Sequence, residues 1–432
     1  MIFGICYLEF NKIMSKIEKI IAREILDSRG NPTVSATIFL SNNKYYFASA
    51  PSGASTGSFE ACELRDRDSS RYHGLGVLRA VENINIQINK LLKGADINDP
   101  RSLDQKMLEL DGTDNKTNLG ANAIIPVSIA LNKAAADNNN LKLYQFINEY
   151  YDFVSKPKLP IPLVNIFNGG KHASTNLDFQ ELWIIPEKFS NFQERLRVSS
   201  EIFHEFGKIL SENAYDTDLG NEGGYAPDLK RTDDAWDMIL EAIERAGYKS
   251  KVTLGFDAGA NTFYNKHSQK YKITLEQKEL NSIQMINYYM DWIKKYPIKY
   301  IEDPLDEEDW KNWTEFKQIM DASKNDILLI GDDLFTTNVK RLERGIKSNS
   351  ANGIIIKPNQ IGTITETIDC IKLAQDHKFA IVISHRSGET CDDFIADLAV
   401  GCGAEHIKTG SISRGERICK YNRLLAIEGE LL

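Results

Sequence analysis

The sequence predicts an α/β protein in which a TIM-like (β/α)8 barrel is preceded by a smaller α+β domain. Short apolar, β-prone runs recur through the second half. Each ends on one charged or imidazole side chain: Val252–Asp257, Ile298–Glu302, Ile327–Asp332, Gly353–Lys357 and Ala380–His385. Those last residues lie 45, 30, 25 and 28 positions apart with helical pattern between them, the spacing of parallel strands joined by crossover helices. The 432 residues are too many for one small core and suit a barrel of roughly 250 residues with a second domain. Barrel strands share one carboxyl-terminal rim, so Asp257, Glu302, Asp332, Lys357 and His385 are expected around one cleft.

In chain order, Met14-Ser-Lys-Ile-Glu18 resembles a natural start, and residues 1–13 are expected to be an N-terminal extension. That segment is apolar but has no basic stretch and no small-residue cleavage site, so a signal peptide is not expected. Residues 14–150 read as the α+β domain. Ile17–Phe47 alternates polar and apolar residues around Arg29-Gly-Asn-Pro32, a hairpin pattern, and 76–93 and 119–148 have helical spacing. Between them Ala50–Ser58 is rich in small polar residues and is either a plain loop or a mobile lid whose amides meet an anion. Gly74-Leu-Gly76 is too fragmentary for a dinucleotide fingerprint. Pro157, Pro160 and Pro162 mark a boundary near 150–157, with the barrel over 151–432. Inside the barrel, Asn168-Gly-Gly-Lys-His172 follows an apolar run, Gln180-Glu181 ends another, and Leu219–Pro227 sets Glu222 among glycines. His172 is as consistent with a core histidine as with a functional one.

The hydrophobic content of 42% and charged content of 26% are those of a globular protein. A net charge of −9 and the lack of any Lys/Arg run argue against a nucleic-acid surface. No stretch of 18 apolar residues suggests a membrane span. The six cysteines form no C-x-x-C pair and are expected to be reduced, buried residues of a cytoplasmic protein.

Three carboxylates converging on a rim repel one another, by roughly 4 kcal/mol per pair near 4 Å at an effective dielectric of about 20. A divalent cation relieves this, and all-oxygen ligation suits Mg2+ or Mn2+ better than Zn2+. Taken singly, each acid reads as an ordinary helix-capping carboxylate, whereas three in register with a strand-end lysine read as a site. A strand-end lysine beside them suits a base if its amine is neutral, as desolvation and nearby cations would make it. The alternative is a permanently charged internal salt bridge. Glu222 with Glu181 is a carboxyl pair suited to protonating a leaving hydroxyl. His385-Arg386-Ser387 offers a cation and a hydroxyl for a phosphate or carboxylate. Elimination of water from a phosphorylated hydroxy acid uses every part.

These residues stand within longer motifs: Asp27-Ser-Arg-Gly-Asn-Pro-Thr33, Pro51-Ser-Gly-Ala-Ser-Thr-Gly57, Gly331-Asp-Asp-Leu334, Asn359-Gln-Ile-Gly362, Ser384–Thr390 and Ile407-Lys-Thr-Gly410. Through them the chain resembles the enolase family from about Ile17 to Ile427. A lysine base with one or two Mg2+ is already known in the enolase superfamily, so that pairing is part of the match. The resemblance implies reversible conversion of 2-phospho-D-glycerate to phosphoenolpyruvate in glycolysis. Lys357 would be the base and Glu222 the acid assisted by Glu181. Asp257, Glu302 and Asp332 would bind one Mg2+, and Ser55 would contact a second that arrives with substrate. His172, Gln180, His385, Arg386, Ser387 and Lys408 would touch substrate. A homodimer or octamer is also implied. Two alternatives accompany it: a variant lyase acting on a related phosphate or phosphonate, and a non-catalytic surface-binding protein. Four places depart from the family pattern: Lys171, Asn221, Gly259-Ala-Asn-Thr262 and Pro358.

Overall fold

The computed structural model describes residues 15–54, 57–323 and 326–431, so the expected extension and Ser55 lie outside the described residues. The chain opens with an antiparallel three-stranded sheet, β1 (Ile17–Leu26), β2 (Pro32–Leu40) and β3 (Tyr45–Ser49). The β1–β2 turn is held by Asp27, whose Oδ1 accepts from the backbone N–H groups of Arg29 and Asn31 at 2.8 and 2.9 Å. Gly30 supplies the positive φ of 75° that the turn requires. The helix Ala121–Asn138 is buried on almost every face and packs on β2 and β3, as its nearly unbroken apolar sequence dictates.

The barrel is built from β4 (Ile161–Asn168), β5 (Glu181–Ile185), β6 (Thr253–Asp257), β10 (Ile298–Glu302), β11 (Leu328–Gly331), β12 (Gly353–Ile356), β13 (Ala380–Ser384) and β14 (His406–Lys408). Between β6 and β10 the chain inserts a small antiparallel sheet, β7 (Tyr264–Asn265), β8 (Lys270–Ile273) and β9 (Lys278–Leu280). The eight barrel strands close on themselves, with helices between most of them, as the α/β barrel reading predicts. Inside, Leu163, Trp183, Ile185, Tyr300, Ile330, Ile355 and Val382 form a buried apolar plug.

One strand departs from the parallel pattern. β5 pairs antiparallel with both β4 and β6. The β4–β5 connection is only residues 169–180, with no α-helix to carry the chain back for a parallel return. Gln180-Glu181 therefore begins a strand instead of ending one. Because β5 is reversed, its first residue reaches the rim where the other strands end: Glu181 is in register with both Asn168 and Asp257.

The cysteine expectation also needs correction. Cys370 and Cys402 are buried, but Cys391 is exposed and Cys62 and Cys419 are partly so, because they sit in loops and on a helix flank instead of in core strands. All five described cysteines are free thiols. No helix among the described residues is long and apolar enough to cross a membrane.

Candidate active site

Each strand tip delivers its predicted residue to one rim. Asp257 and Glu302 are the last residues of β6 and β10 and are paired in register, while Asp332, Lys357 and His385 each follow the last residue of β11, β12 and β13. Lys408 ends β14. The β4–β5 loop brings His172, and the loop between the helices Phe192–Glu212 and Thr232–Arg245 brings Glu222 across the top. His172, Gln180, Glu181, Glu222, Asp257, Lys357, His385, Arg386, Ser387 and Lys408 line one small cavity of about 10 Å³, roughly the space one water centre needs. Glu302 and Asp332 join it through the two lysines. The sequence-predicted residues that the structure describes are thus brought together, and Ser55 lies outside the described residues.

Lys408 is the electrostatic hub. Its Nζ lies 3.0 Å from oxygens of Glu181, Asp257 and Glu302 and is 4.9 Å above the Trp183 ring. Burial disfavours its charge, but the surrounding acids outweigh that and hold its pKa well above the usual lysine value. Lys357 behaves likewise: burial opposes the charge, Asp332 more than restores it, and Nζ donates to that carboxylate. Of the two readings of Lys357, the contacts present are those of the internal salt bridge. The internal salt bridge forms because Asp332 is the nearest group of opposite charge to the buried ammonium.

Glu181 and Glu222 are driven apart. Burial raises Glu181, but Lys408 and His172 overcome it, and the carboxyl sits well below its ordinary range. Its Oε2 also accepts from Trp183 Nε1 at 2.8 Å. Glu222 is raised, first by burial and then by the negative charge of Glu181. Its Oε2 accepts from Asn165 Nδ2 at 3.0 Å. His172 Nδ1 stands 3.3 Å from Glu181 and 3.5 Å from Glu222. His385 is neutral, pushed well down by burial and by Arg417. Arg417 Nη1 lies 2.7 Å from its Nδ1. A guanidinium can only donate, so His385 carries its proton on Nε2, 3.6 Å from Glu222.

Asp257, Glu302 and Asp332 offer the donor chemistry that a hard divalent cation takes. The donors are all carboxylate oxygens, and the Lys408 ammonium already stands between two of them as a stand-in cation. Glu302 and Asp257 are both raised, by burial first and then by neighbouring acids, which shows how strongly the position favours added positive charge. Two other groups have all their ligand atoms within 4.8 Å among the described residues: His172–Glu181–Glu222 and Asp303–Asp332–Asp333. Asp257, Glu302 and Asp332 are held wider than that. All three sets are already engaged: Asp303 accepts from the Asp332 and Asp333 N–H groups, both at 2.8 Å, Glu181 is engaged by Trp183 and Lys408, Asp257 and Glu302 by Lys408, and Asp332 by Lys357.

Several functional neighbours escaped sequence reasoning. Asp303 and Asp333 carried a signal, each doubling an acid at a strand tip. Asn165, Trp183 and Arg417 carried none, because their partners are set by barrel closure. Two of the four family departures, Gly259-Ala-Asn-Thr262 and Pro358, gain a structural reason. Gly259 has φ 54° and ψ 44°, and a Cβ there would meet Gln180 Nε2 at 2.2 Å. Pro358 is the first residue of a short helix capped by Lys357, a position where no N–H is needed. Asn261 donates to Asp333 at 2.8 Å and accepts from Glu307 N at 2.9 Å.

Fold and site together define a two-domain α/β-barrel enzyme whose strand tips gather acids and lysines for metal-assisted chemistry. The family model described as "Enolase, N-terminal domain" matches residues 17–147, and that described as "Enolase, C-terminal TIM barrel domain" matches residues 156–432. The chain belongs to the enolase family, whose members are metal-dependent lyases.

Proposed function

We propose that this protein catalyses the reversible dehydration of 2-phospho-D-glycerate to phosphoenolpyruvate, the glycolytic reaction, as a cytoplasmic homo-oligomer, at least a dimer. The split between the two carboxyls that share a cavity with Lys357 carries this reading: Glu181 is biased toward its ionised form and Glu222 toward its protonated form, as acid–base elimination needs.

Lys357 takes the proton from C2, and the electron pair left behind delocalises into the adjacent carboxylate. Glu222 gives its proton to the C3 hydroxyl, which leaves as water while the C2–C3 double bond forms. His172, between Glu181 and Glu222, and Asn165 hold Glu222 in its polar pocket, while the Glu181 charge favours its protonated form. Lys408 faces the substrate carboxylate, Gln180 and His385 line the pocket, and Arg386 and Ser387 take the phosphoryl group. Asp257, Glu302 and Asp332 would hold one Mg2+, and Ser55 a second. When bound, such cations supply positive charge to these acids and to the substrate carboxylate as its charge grows. Lys357 must shed its Asp332 contact and its proton before it acts.

The test is purified protein with 2-phosphoglycerate and Mg2+, followed by ultraviolet absorbance of the enol product. Turnover is expected. Failure to form product, with or without residues 1–13, sinks the reading.

A further inference from the structure

Glu60 lies just past the small-residue segment of the first domain, and none of the roles above uses it. Its Oε2 accepts from Arg386 Nη1 at 2.8 Å, and its Oε1 accepts from Arg386 Nη2 at 3.0 Å. With side-chain exposures of 9% and 3%, the pair is largely buried. Oε1 also accepts from Gly57 N at 3.0 Å and from Gln360 Nε2 at 3.4 Å. That same amide donates to Asp332 Oδ1 at 2.9 Å, and Asp332 holds Lys357. One carboxylate therefore meets the first domain's backbone, the phosphoryl-binding guanidinium and, through Gln360, the acid that pairs with the base.

Two parallel N–H···O bonds from a guanidinium suit a phosphate as well as a carboxylate. Both terminal nitrogens of Arg386 are engaged by Glu60, and Nη1 donates in addition to Asn359. We propose that Glu60 is an internal competitor for the phosphoryl group and thereby sets specificity for phosphorylated over unphosphorylated hydroxy acids. A ligand displaces it only by replacing both charge-assisted bonds, since breaking a buried ion pair without replacement is strongly unfavourable. A hydroxy acid without a phosphoryl group supplies no such replacement and leaves Glu60 in place. This rests on the reading of Arg386 as the phosphoryl ligand.

Inorganic phosphate is the probe, titrated calorimetrically into the full-length chain without substrate. Glu60→Gln keeps the size but loses the charge, and it should bind phosphate about tenfold more tightly than the parent, the worth of roughly one charge-assisted hydrogen bond. Arg386→Ala should abolish binding in either background. KM for 2-phosphoglycerate should fall with Glu60→Gln, whereas an acid that merely positioned Arg386 would raise it. If Glu60→Gln does not fold, Glu60→Asp, with its shorter reach, should also tighten phosphate binding. Equal or weaker binding in the folded variant, or no phosphate binding by any form, overturns the proposal. Tighter phosphate binding without turnover of 2-phosphoglycerate would uphold Glu60 as the competitor and sink the dehydration reading instead. Turnover with phosphate affinity indifferent to Glu60 would do the reverse.

Discussion

Glu181 and Glu222 are chemically alike and differ only in what surrounds them. Glu181 has Lys408 at 3.0 Å and an indole N–H; Glu222 has a neutral amide and a neighbouring negative charge. That contrast predicts separable defects. Lys357→Ala should abolish exchange of the substrate's C2 proton with solvent, whereas Glu222→Gln should block dehydration and leave exchange measurable by NMR. Each should reduce turnover by at least about 100-fold, the usual worth of a positioned acid or base. Persistent exchange in Lys357→Ala would reassign the base. Of these roles, the strand-tip residues were legible as a cluster. The order of proton affinities was not, because it depends on which cation lies beside which acid.

At the scale of elements, the loop after β6 shows how tightly tips are specified. Gly259 sits in the left-handed region and leaves no room for a methyl group beside Gln180. Gly259→Ala should cost about 1–3 kcal/mol in urea unfolding, from backbone strain together with displacement of Gln180. It should also raise KM, since Gln180 lines the cavity. Retention of full stability would show that the loop relaxes freely. The strand tips themselves yield a metal test. Mg2+ should raise the melting temperature of the parent, with a stabilisation of about 2.7 kcal/mol at 100 times its Kd. Asp257→Asn and Glu302→Gln should largely lose that gain, and an unchanged gain in both would place the ion elsewhere.

At the scale of the molecule, Asp104 ties the two domains together. It stands in the helix Pro100–Asp111 and accepts from Ser128 Oγ at 2.9 Å and from Thr365 N and Oγ1 at 3.1 and 2.7 Å, the threonine lying on the barrel helix Ile364–Asp376. Burial pushes its carboxyl up to about 6 despite those donors. The folded state therefore keeps a proton that the unfolded chain releases from about pH 4 upward. Its contribution is intact below that pH and diminishes as pH rises to about 6. Asp104→Asn, fixed in the neutral form, should gain stability relative to the parent across that window, by up to about 3 kcal/mol. A parent-to-variant difference that is flat with pH would refute the raised carboxyl.

The sequence by itself determined the barrel, its spacing and the acids, lysine and histidine at its tips, because strand period, helix period and chain reach are local properties. It could not reveal that β5 runs antiparallel, which decides why Glu181 shares the rim with Asp257. Nor could it place the β7–β9 insertion or choose between a neutral and a paired Lys357. Tertiary structure alone decided that Glu60 would find Arg386, 326 positions away, and that Arg417 would fix the tautomer of His385. Those pairings arise from barrel closure and domain docking, which bring together side chains whose local sequences carry no trace of each other.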